Sequence, residues 1–245
     1  MGKIILFEKE SNIVNYKSRT PTNGPELELT NKFLSSVKEN YSNKNNDLAI
    51  FVEPKIQSLY PDIVMVEYSP NLIHSWTEKR RNLASKELML LSILSKQKLI
   101  TFENLVNSTY LNSKEIVQSI EKLLDSNMIQ RKQGNWSLKN KRNIFAIKKI
   151  SAIEAKIDNW QTALKQATLN IGYANESFIL SNIKNPQSKT IKLVDKYGIG
   201  IYNMDNDSAN IVAKPKKYPM ANNQTVWQLN EWIGQKLSEG QYCAS

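Results

Sequence analysis

The sequence predicts an α/β protein, in which a mixed sheet is flanked by helices and a small helical domain is inserted between two strands. Three observations lead to this fold class. Runs rich in β-branched residues alternate with helical patterns towards both ends of the chain. The middle of the chain holds three short helical patterns followed by a hairpin pattern, and Lys and Arg concentrate there. We therefore expect a first domain formed by 1–77 and 143–245, with 78–142 inserted.

The predicted elements of the α/β part follow from local patterns. Its expected strands are an edge strand at 4–7, strands at 48–52 and 63–68, a strand or bulged pair over 144–147 and 151–156, a strand at 177–180, and a hairpin of 196–202 and 209–213 around 205–207. Its expected helices cover 25–41, a stretch that begins at Asp158 or Asn159, and 224–237.

The inserted segment has a different pattern. A helix is expected over 86–96, a second over 102–108 with Thr101 as its cap, and a third from Ser113 with one apolar stripe. The runs 128–132 and 136–138 form a hairpin around a glycine turn. This order over 86–139 resembles a winged helix-turn-helix domain. The resemblance implies that the third helix enters the major groove of DNA while the hairpin touches the backbone or minor groove.

By that resemblance, the candidate DNA-binding residues lie on the third helix and on the hairpin; they are Lys114, Gln118, Lys122, Arg131 and Lys132. A winged helix used for protein contacts, or one directed at RNA, is the alternative.

Charge points to a polyanionic partner. The chain of 245 residues has a formal net charge of +10 and a pI near 9.4. Segment 78–142 holds 13 Lys or Arg and six Asp or Glu, a net of 13 − 6 = +7. This concentration favours nucleic-acid binding over the alternative of a basic solvated surface without a partner.

Composition excludes several classes of protein. With one Cys, Cys243, and one His, the chain lacks the ligands of a zinc finger and the residues of an ordinary Ser-His or Cys-His hydrolase. No stretch approaches the roughly 20 apolar residues of a membrane helix, and the first residues lack the apolar run of a signal peptide. We expect a cytoplasmic protein without a membrane partner.

Two carboxylates and a lysine suggest the chemistry. Glu154 and Lys156 are two apart in a predicted strand, so their side chains should project to the same side. A surface ion pair is one explanation; the other is a metal ligand beside a cation that steadies an attacking water. Asp62 would complete the oxygen ligands that a hard divalent cation needs for phosphodiester cleavage.

Pro61-Asp62 and Glu154-Ala155-Lys156 resemble the motif of the PD-(D/E)XK, restriction-endonuclease-like, nuclease superfamily, whose Asp begins one strand and whose E-x-K ends the next. The resemblance covers about 25–74 and 143–217. It implies that Asp62, Glu154 and the carbonyl of Ala155 hold Mg²⁺, for which Mn²⁺ should substitute. It also implies that Lys156 is catalytic.

Two further residues come from the same resemblance. Gln166 lies on the helix after E-x-K, where several branches of the superfamily place a glutamine; an ordinary exposed polar residue is the alternative. Glu28, rather than Glu26, is our choice for the acid that some members carry on the first helix.

The separation of the motifs is unusual, because Asp62 and Glu154 are 154 − 62 = 92 positions apart. Removing the inserted domain leaves a distance that a strand–turn–strand can span. We therefore expect a Mg²⁺-dependent DNA endonuclease whose winged helix positions double-stranded DNA, and a homodimer is compatible with cleavage of both strands. The alternative is a DNA-binding transcriptional regulator that keeps a non-catalytic nuclease-like scaffold.

Overall fold

The computed structural model describes residues 2–7, 13, 15–205 and 207–242, and the side chains of the last helix as far as Ser238. The strands in chain order are β1 (Ile4–Phe7), β2 (Asp47–Val52), β3 (Ile63–Tyr68), β4 (Ile129–Lys132), β5 (Asn135–Leu138), β6 (Ile147–Ala155), β7 (Glu176–Ser181), β8 (Gly200–Asp205) and β9 (Ser208–Ala213). The helices are α1 (Pro25–Asn40), α2 (Pro70–His74), α3 (Ser85–Leu94), α4 (Phe102–Asn107), α5 (Ser113–Asp125), α6 (Lys141–Ile144), α7 (Trp160–Asn170), α8 (Ser188–Tyr197) and α9 (Gln224–Tyr242), with a 3₁₀ helix at Glu78–Asn82. Within the described residues, no helix is both long and apolar enough to cross a membrane.

Contacts divide the chain into two compact units. The sheet unit comprises Met1–Glu10, Lys17–Tyr68 and Ile147–Ala221; the helical unit comprises Ser11–Tyr16, Ser69–Ala146 and Asn222–Ser245. The C-terminal helix α9 thus belongs with the middle of the chain, whereas the sequence-based boundaries had grouped it with the sheet.

The sheet unit contains a seven-stranded mixed sheet in the order β1-β2-β3-β6-β7-β8-β9. β2, β3 and β6 are antiparallel neighbours, and β6, β7 and β8 run parallel. β1 is parallel to β2, and β9 is antiparallel to β8. The predicted α/β class with a mixed sheet flanked by helices is confirmed.

Helices cover both faces of this sheet. On one face α1 buries Leu29 and Phe33 in a core with Ile153 and Phe178 of the strands. On the other face, α7 and α8 pack Ala163, Ala167 and Val194 against Ile179 and Ile201. Because successive strand residues point to opposite faces, β6 sends Ile153 and Ala155 towards α1 and Glu154 towards α7.

The pairing of β3 with β6 accounts for the wide spacing of the motifs. Ile63 lies opposite Ile153, and Tyr68 lies opposite Ile147. Segment 69–146 therefore leaves and rejoins the sheet at neighbouring positions. The two motifs meet across one antiparallel ladder, as the sequence predicted.

The predicted strand elements differ from the structure in two places. The region predicted as a strand or bulged pair over 144–147 and 151–156 is a single strand, β6, that begins only at Ile147, because Ile144 ends α6. The expected strand 196–202 begins too early, because α8 extends to Tyr197 and ends at Gly198, whose φ of 69° is the left-handed conformation that terminates helices. The turn predicted at 205–207 includes Asn206, which lies outside the described residues.

The helical unit contains α3, α4 and α5, followed by the β4–β5 hairpin. The predicted cap Thr101 is confirmed, since its side chain accepts a hydrogen bond from the Asn104 amide. The third helix is capped by Asn112 and not by Ser113. Asn112 accepts from the Glu115 amide while the Glu115 side chain accepts from the Asn112 amide, a reciprocal capping box.

A buried ion pair joins distant parts of the helical unit. The Arg80 guanidinium donates two hydrogen bonds of 2.7 Å to the Glu231 carboxylate and one of 2.6 Å to the carbonyl of Ile144. The side chains of Arg80 and Glu231 are only 4% and 2% exposed. Arg80 also stacks on the ring of Trp76, at 3.2 Å from its centroid.

We predict that Glu231→Ala lowers the free energy of unfolding of the helical unit by about 3–5 kcal/mol, because it leaves the Arg80 charge buried and unpaired. Urea denaturation followed by tryptophan fluorescence measures the effect. Asp125→Ala is the control, since it breaks the exposed pair with Lys79 and should cost less than about 1 kcal/mol. Equal costs for the two variants would contradict this reading of the buried pair.

Candidate active site

Asp62 and the Glu154-Ala155-Lys156 motif are in direct contact. Asp62 precedes β3, and Ala155 is the last residue of β6. The Asp62 Oδ2 atom accepts a hydrogen bond of 2.7 Å from the backbone amide of Ala155. The structure thus joins the two sequence motifs through one side chain and one peptide group.

Glu154 is buried between β6 and α7. Its Oε1 atom accepts a 2.7 Å hydrogen bond from Asn170 Nδ2, and Asn170 Oδ1 accepts one from the Tyr173 hydroxyl. Glu154 Oε2 has no hydrogen-bond partner among the described residues, although the residue is only 2% exposed. Such an unpaired buried oxygen calls for a proton or a cation.

Lys156 is held from the other side of the sheet. Its Nζ atom lies 2.6 Å from Glu26 Oε2 on α1. Glu154 and Lys156, which were expected to project to one side, therefore contact different helices. The Lys156 amide still donates to the carbonyl of Leu180 on β7, and, against the larger effect of burial, the charge of Lys156 lowers the pKa of Glu154. Of the two acids considered on α1, the structure brings Glu26 to this lysine, whereas Glu28 is exposed and does not contact it.

A cleft of about 240 Å³ opens beside these residues. We call it the site cleft; it is lined by Arg19, Pro21, Thr22, Glu26, Leu27, Thr30, Val52, Glu53, Asp62, Lys156, Thr162 and Gln166. Gln166, chosen from the sequence, lies on its wall. Its buried Oε1 atom has no partner among the described residues, so it remains able to accept a hydrogen bond from a ligand.

A second ion pair lies at the same cleft. Arg19 Nε donates to Glu53 Oε2 at 2.5 Å, and Glu53 is 7% exposed. The amide of Glu53 donates to the carbonyl of Asp62 at 3.0 Å, so Glu53 is fixed directly beside the first motif. The site cleft therefore combines three acids, Glu26, Glu53 and Asp62, with two cations.

The two motif carboxyls are electrostatically coupled. The pKa of Glu154 is raised to about 8, first by burial and then by the charge of Asp62. The pKa of Asp62 is raised to about 6 by burial, against the opposing effects of the Ala155 hydrogen bond and the Lys156 charge. Both carboxyls would bind a cation more readily than water-exposed acids, because each lacks the solvation that normally stabilises its charge.

The residues expected to hold a divalent cation have donor atoms of a suitable chemical type. Asp62, Glu154 Oε2 and the Ala155 carbonyl offer oxygen donors, which hard cations such as Mg²⁺ prefer. The fit depends on two carboxylates and one carbonyl. No group of three or more His, Cys, Asp or Glu side chains able to hold a metal occurs in the described part of the chain.

Four residues of this site were not identified from the sequence as functional: Arg19, Glu26, Glu53 and Asn170. Asn170 had a signal, since it lies four residues after Gln166 and hence on the same face of α7. No sequence pattern indicated Arg19 or Glu53, because their contact joins positions 34 apart in the chain.

The candidate DNA-binding residues lie on the surface of the helical unit. Lys114 and Gln118 are exposed on α5, opposite its buried stripe, and Arg131 and Lys132 are exposed on β4. Lys122 differs from them, because its Nζ atom lies 3.6 Å from the buried carboxylate of Glu87. Its charge is therefore partly neutralised within the unit.

Comparisons with known proteins do not assign the chain to a family. No family model matches it, and no curated protein matches it. A solved structure of a protein of unknown function from Silicibacter pomeroyi is similar over 40% of this chain and 64% of its own, with 15% identity and a TM-score of 0.28. The match thus spans less than two thirds of that protein.

We predict that Glu154→Gln increasingly stabilises the metal-free protein as pH rises. The folded pKa, about 8, exceeds the ordinary value of 4.5, so the folded state binds this proton more tightly than the unfolded state. The free energy of unfolding consequently falls as pH rises between these values and levels off above them. Gln keeps an oxygen for Asn170 and removes the titration.

The measurement is urea denaturation with EDTA at pH 5, 6.5 and 8. Asp158→Asn, at an exposed position just after the motif, is the control and should leave the pH profile unchanged. A difference between wild type and Glu154→Gln that does not vary with pH would show that Glu154 ionises normally.

Proposed function

We propose that the sheet unit is a divalent-cation-dependent nuclease that hydrolyses phosphodiester bonds in DNA. One observation carries the proposal: the Asp62 carboxylate is bonded to the peptide of Ala155, next to a buried Glu154 with an unpaired oxygen. Lys156 reaches the same cleft as Asp62. Asp62 and Lys156 line the cleft while Glu154 is buried behind it, and two acids with a cation this close together suit attack on a phosphate better than a purely structural role.

The order of elements supports the proposal. α1, β2, β3, β6, α7 and β7 follow one another as helix, strand, strand, strand, helix and strand once segment 69–146 is set aside. This order resembles the core of the PD-(D/E)XK superfamily, and the positions of Asp62 before β3 and of Glu154 near the end of β6 support the proposal.

Each residue then has a chemical role. Asp62, Glu154 and the Ala155 carbonyl would hold Mg²⁺ or Mn²⁺, which when bound polarises the phosphate and lowers the pKa of water. Lys156 offsets negative charge that develops on the phosphate oxygens. Glu26 holds the Lys156 ammonium in the cleft, and Gln166 offers a free carbonyl oxygen to orient a water.

We further propose that the helical unit binds duplex DNA as a winged helix. The order α3, α4, α5 and the β4–β5 hairpin supports this assignment. The polar face of α5 presents Lys114 and Gln118, and the hairpin presents Arg131 and Lys132. A winged helix that binds protein or RNA would keep the same elements, and competition between duplex DNA, single strands and RNA at stated salt distinguishes them.

We predict that the purified chain nicks or linearises supercoiled plasmid in Mg²⁺ or Mn²⁺. Asp62→Asn and Lys156→Ala should each lower the rate by at least about 100-fold, because each removes a group that acts on the developing charge. Glu26→Gln should reduce the rate less, since Lys156 keeps its charge and loses only its anchor.

Glu28→Gln is the matched control, an exposed acid in the same first turn of α1, and it should cut like wild type. Equal cutting by wild type, Asp62→Asn and Lys156→Ala would show that the activity arises elsewhere. Calorimetry with Mn²⁺ separates the nuclease from a regulator with a nuclease-like scaffold. A nuclease should bind Mn²⁺, and Asp62→Asn should abolish that binding. A regulator should show no Mn²⁺ binding that depends on Asp62.

A further inference from the structure

Arg19 and Glu53 form a two-point contact at the edge of the site cleft. The Arg19 amide donates to the Glu53 carbonyl at 3.0 Å, and the Arg19 Nε atom donates to the Glu53 carboxylate at 2.5 Å. The flanking Lys55 amide donates to the Lys17 carbonyl at 2.8 Å. The segment that carries Arg19 is thus tied to the end of β2 by backbone and side chain together.

Glu53 is an unusual residue at this place. Its φ of 46° is in the left-handed region, which an ordinary side chain adopts only at an energetic cost. Its carboxylate is also buried, and burial of a charge costs free energy unless a partner compensates it. The strained backbone and the buried charge of Glu53 both accompany the position of its carboxylate at the cleft, where it contacts Arg19.

The contact leaves the functional end of Arg19 available. Glu53 engages Nε, while neither terminal amino group of Arg19 makes a hydrogen bond to another described residue. The guanidinium carbon lies 5.5 Å from the centre of the Tyr60 ring, and the side chain is 53% exposed. A guanidinium fixed at Nε, with its free edge at a cleft, is arranged to donate two parallel hydrogen bonds.

We propose that Arg19 forms a phosphate-binding subsite of the site cleft and that Glu53 is its positioning residue. The identification of the phosphate as that of a DNA strand rests on the proposed function. The cleft is otherwise acidic, and its second cation, Lys156, is bound by Glu26. A polyanionic strand that enters beside Glu26, Glu53 and Asp62 needs a cation with free donors, and Arg19 supplies it.

The test is fluorescence anisotropy of a labelled 20-base-pair duplex in EDTA, at several salt concentrations. All proteins carry Asp62→Asn, so that the duplex stays uncut. Arg19→Ala should weaken binding about tenfold, the loss of a charge-assisted contact. It should also lower the steepness of log K against log salt by about 0.9, the change for one phosphate contact.

Lys44→Ala is the matched control, because it removes one positive charge from the turn before β2, at the opposite end of that strand from Glu53. Its affinity and salt dependence should equal those of the parent. Glu53→Gln should weaken binding in the parent, where it frees Arg19, but should not weaken it in the Arg19→Ala background, where it only removes a negative charge beside the strand. A purely structural Glu53 would show the same effect in both backgrounds, which would overturn its positioning role.

Unchanged affinity and salt dependence in Arg19→Ala would overturn the subsite, whether or not the chain cuts DNA. If Arg19→Ala does not fold, Arg19→Lys decides the question, because it keeps the charge and loses the paired donors. It should bind several-fold more weakly with the same salt dependence, and parental affinity would overturn the proposal. A wild-type chain that fails to cut plasmid, with binding that still depends on Arg19, overturns the nuclease and leaves the phosphate subsite intact.

Discussion

The hydrogen-bonded ladder between β3 and β6 is the constraint on which the candidate site depends. It places Ile63 opposite Ile153, so Asp62 arrives next to Glu154 and reaches the amide of Ala155. Because the same ladder ends with Tyr68 opposite Ile147, segment 69–146 can form part of a separate unit without disturbing the register. A slip of one residue would turn Glu154 towards α1 and remove its contact with Asn170.

Burial of Glu154 determines how readily its carboxyl group ionises. An isolated carboxylate inside a sheet–helix layer would be costly, and here only one of its two oxygens is hydrogen-bonded by a described residue. The raised pKa of Glu154, about 8, shows that the site prefers a neutral carboxyl when no cation is present. Asp62 adds to this preference because its own charge repels that of Glu154. Under the proposed function, a bound cation would therefore replace the proton that Glu154 otherwise keeps.

Much of this arrangement could be predicted from residue patterns. The remaining features could not be predicted, for reasons that are physical. The motif residues were identifiable because an acid and a lysine are unusual at the end of an apolar strand. The sequence could not show that Glu26 rather than Glu28 contacts Lys156, because two residues in one helical turn point in different directions and only packing fixes which of them meets the lysine. Only the last two residues of α8, Lys196 and Tyr197, were predicted as strand, and the rest of that helix was not predicted, because its exposed Leu193 and Tyr197 weaken the helical pattern. The contact of Arg19 with Glu53 depends on a left-handed backbone that Glu rarely adopts.

Several basic side chains are paired with acids, which affects how readily each could bind a phosphate. In the helical unit Lys79, Lys86 and Lys122 each lie within 4 Å of an acid of that unit, so these three lysines are less available to a phosphate than the count of basic residues implies. The net charge of +7 is unchanged, because it already subtracts those acids. At the site cleft Lys156 and Arg19 are also paired, but the two pairs differ. Lys156 meets Glu26 through its only nitrogen, whereas Arg19 meets Glu53 through Nε and keeps two amino groups. The Lys156 ammonium keeps two further N–H donors but shares its charge with Glu26, whereas Arg19 keeps a planar pair of amino groups that can donate to a phosphate side by side. Under the proposed function, Arg19 is therefore better suited than Lys156 to bind the phosphate of an entering strand, and Lys156 is the cation that would offset charge on the reacting phosphate.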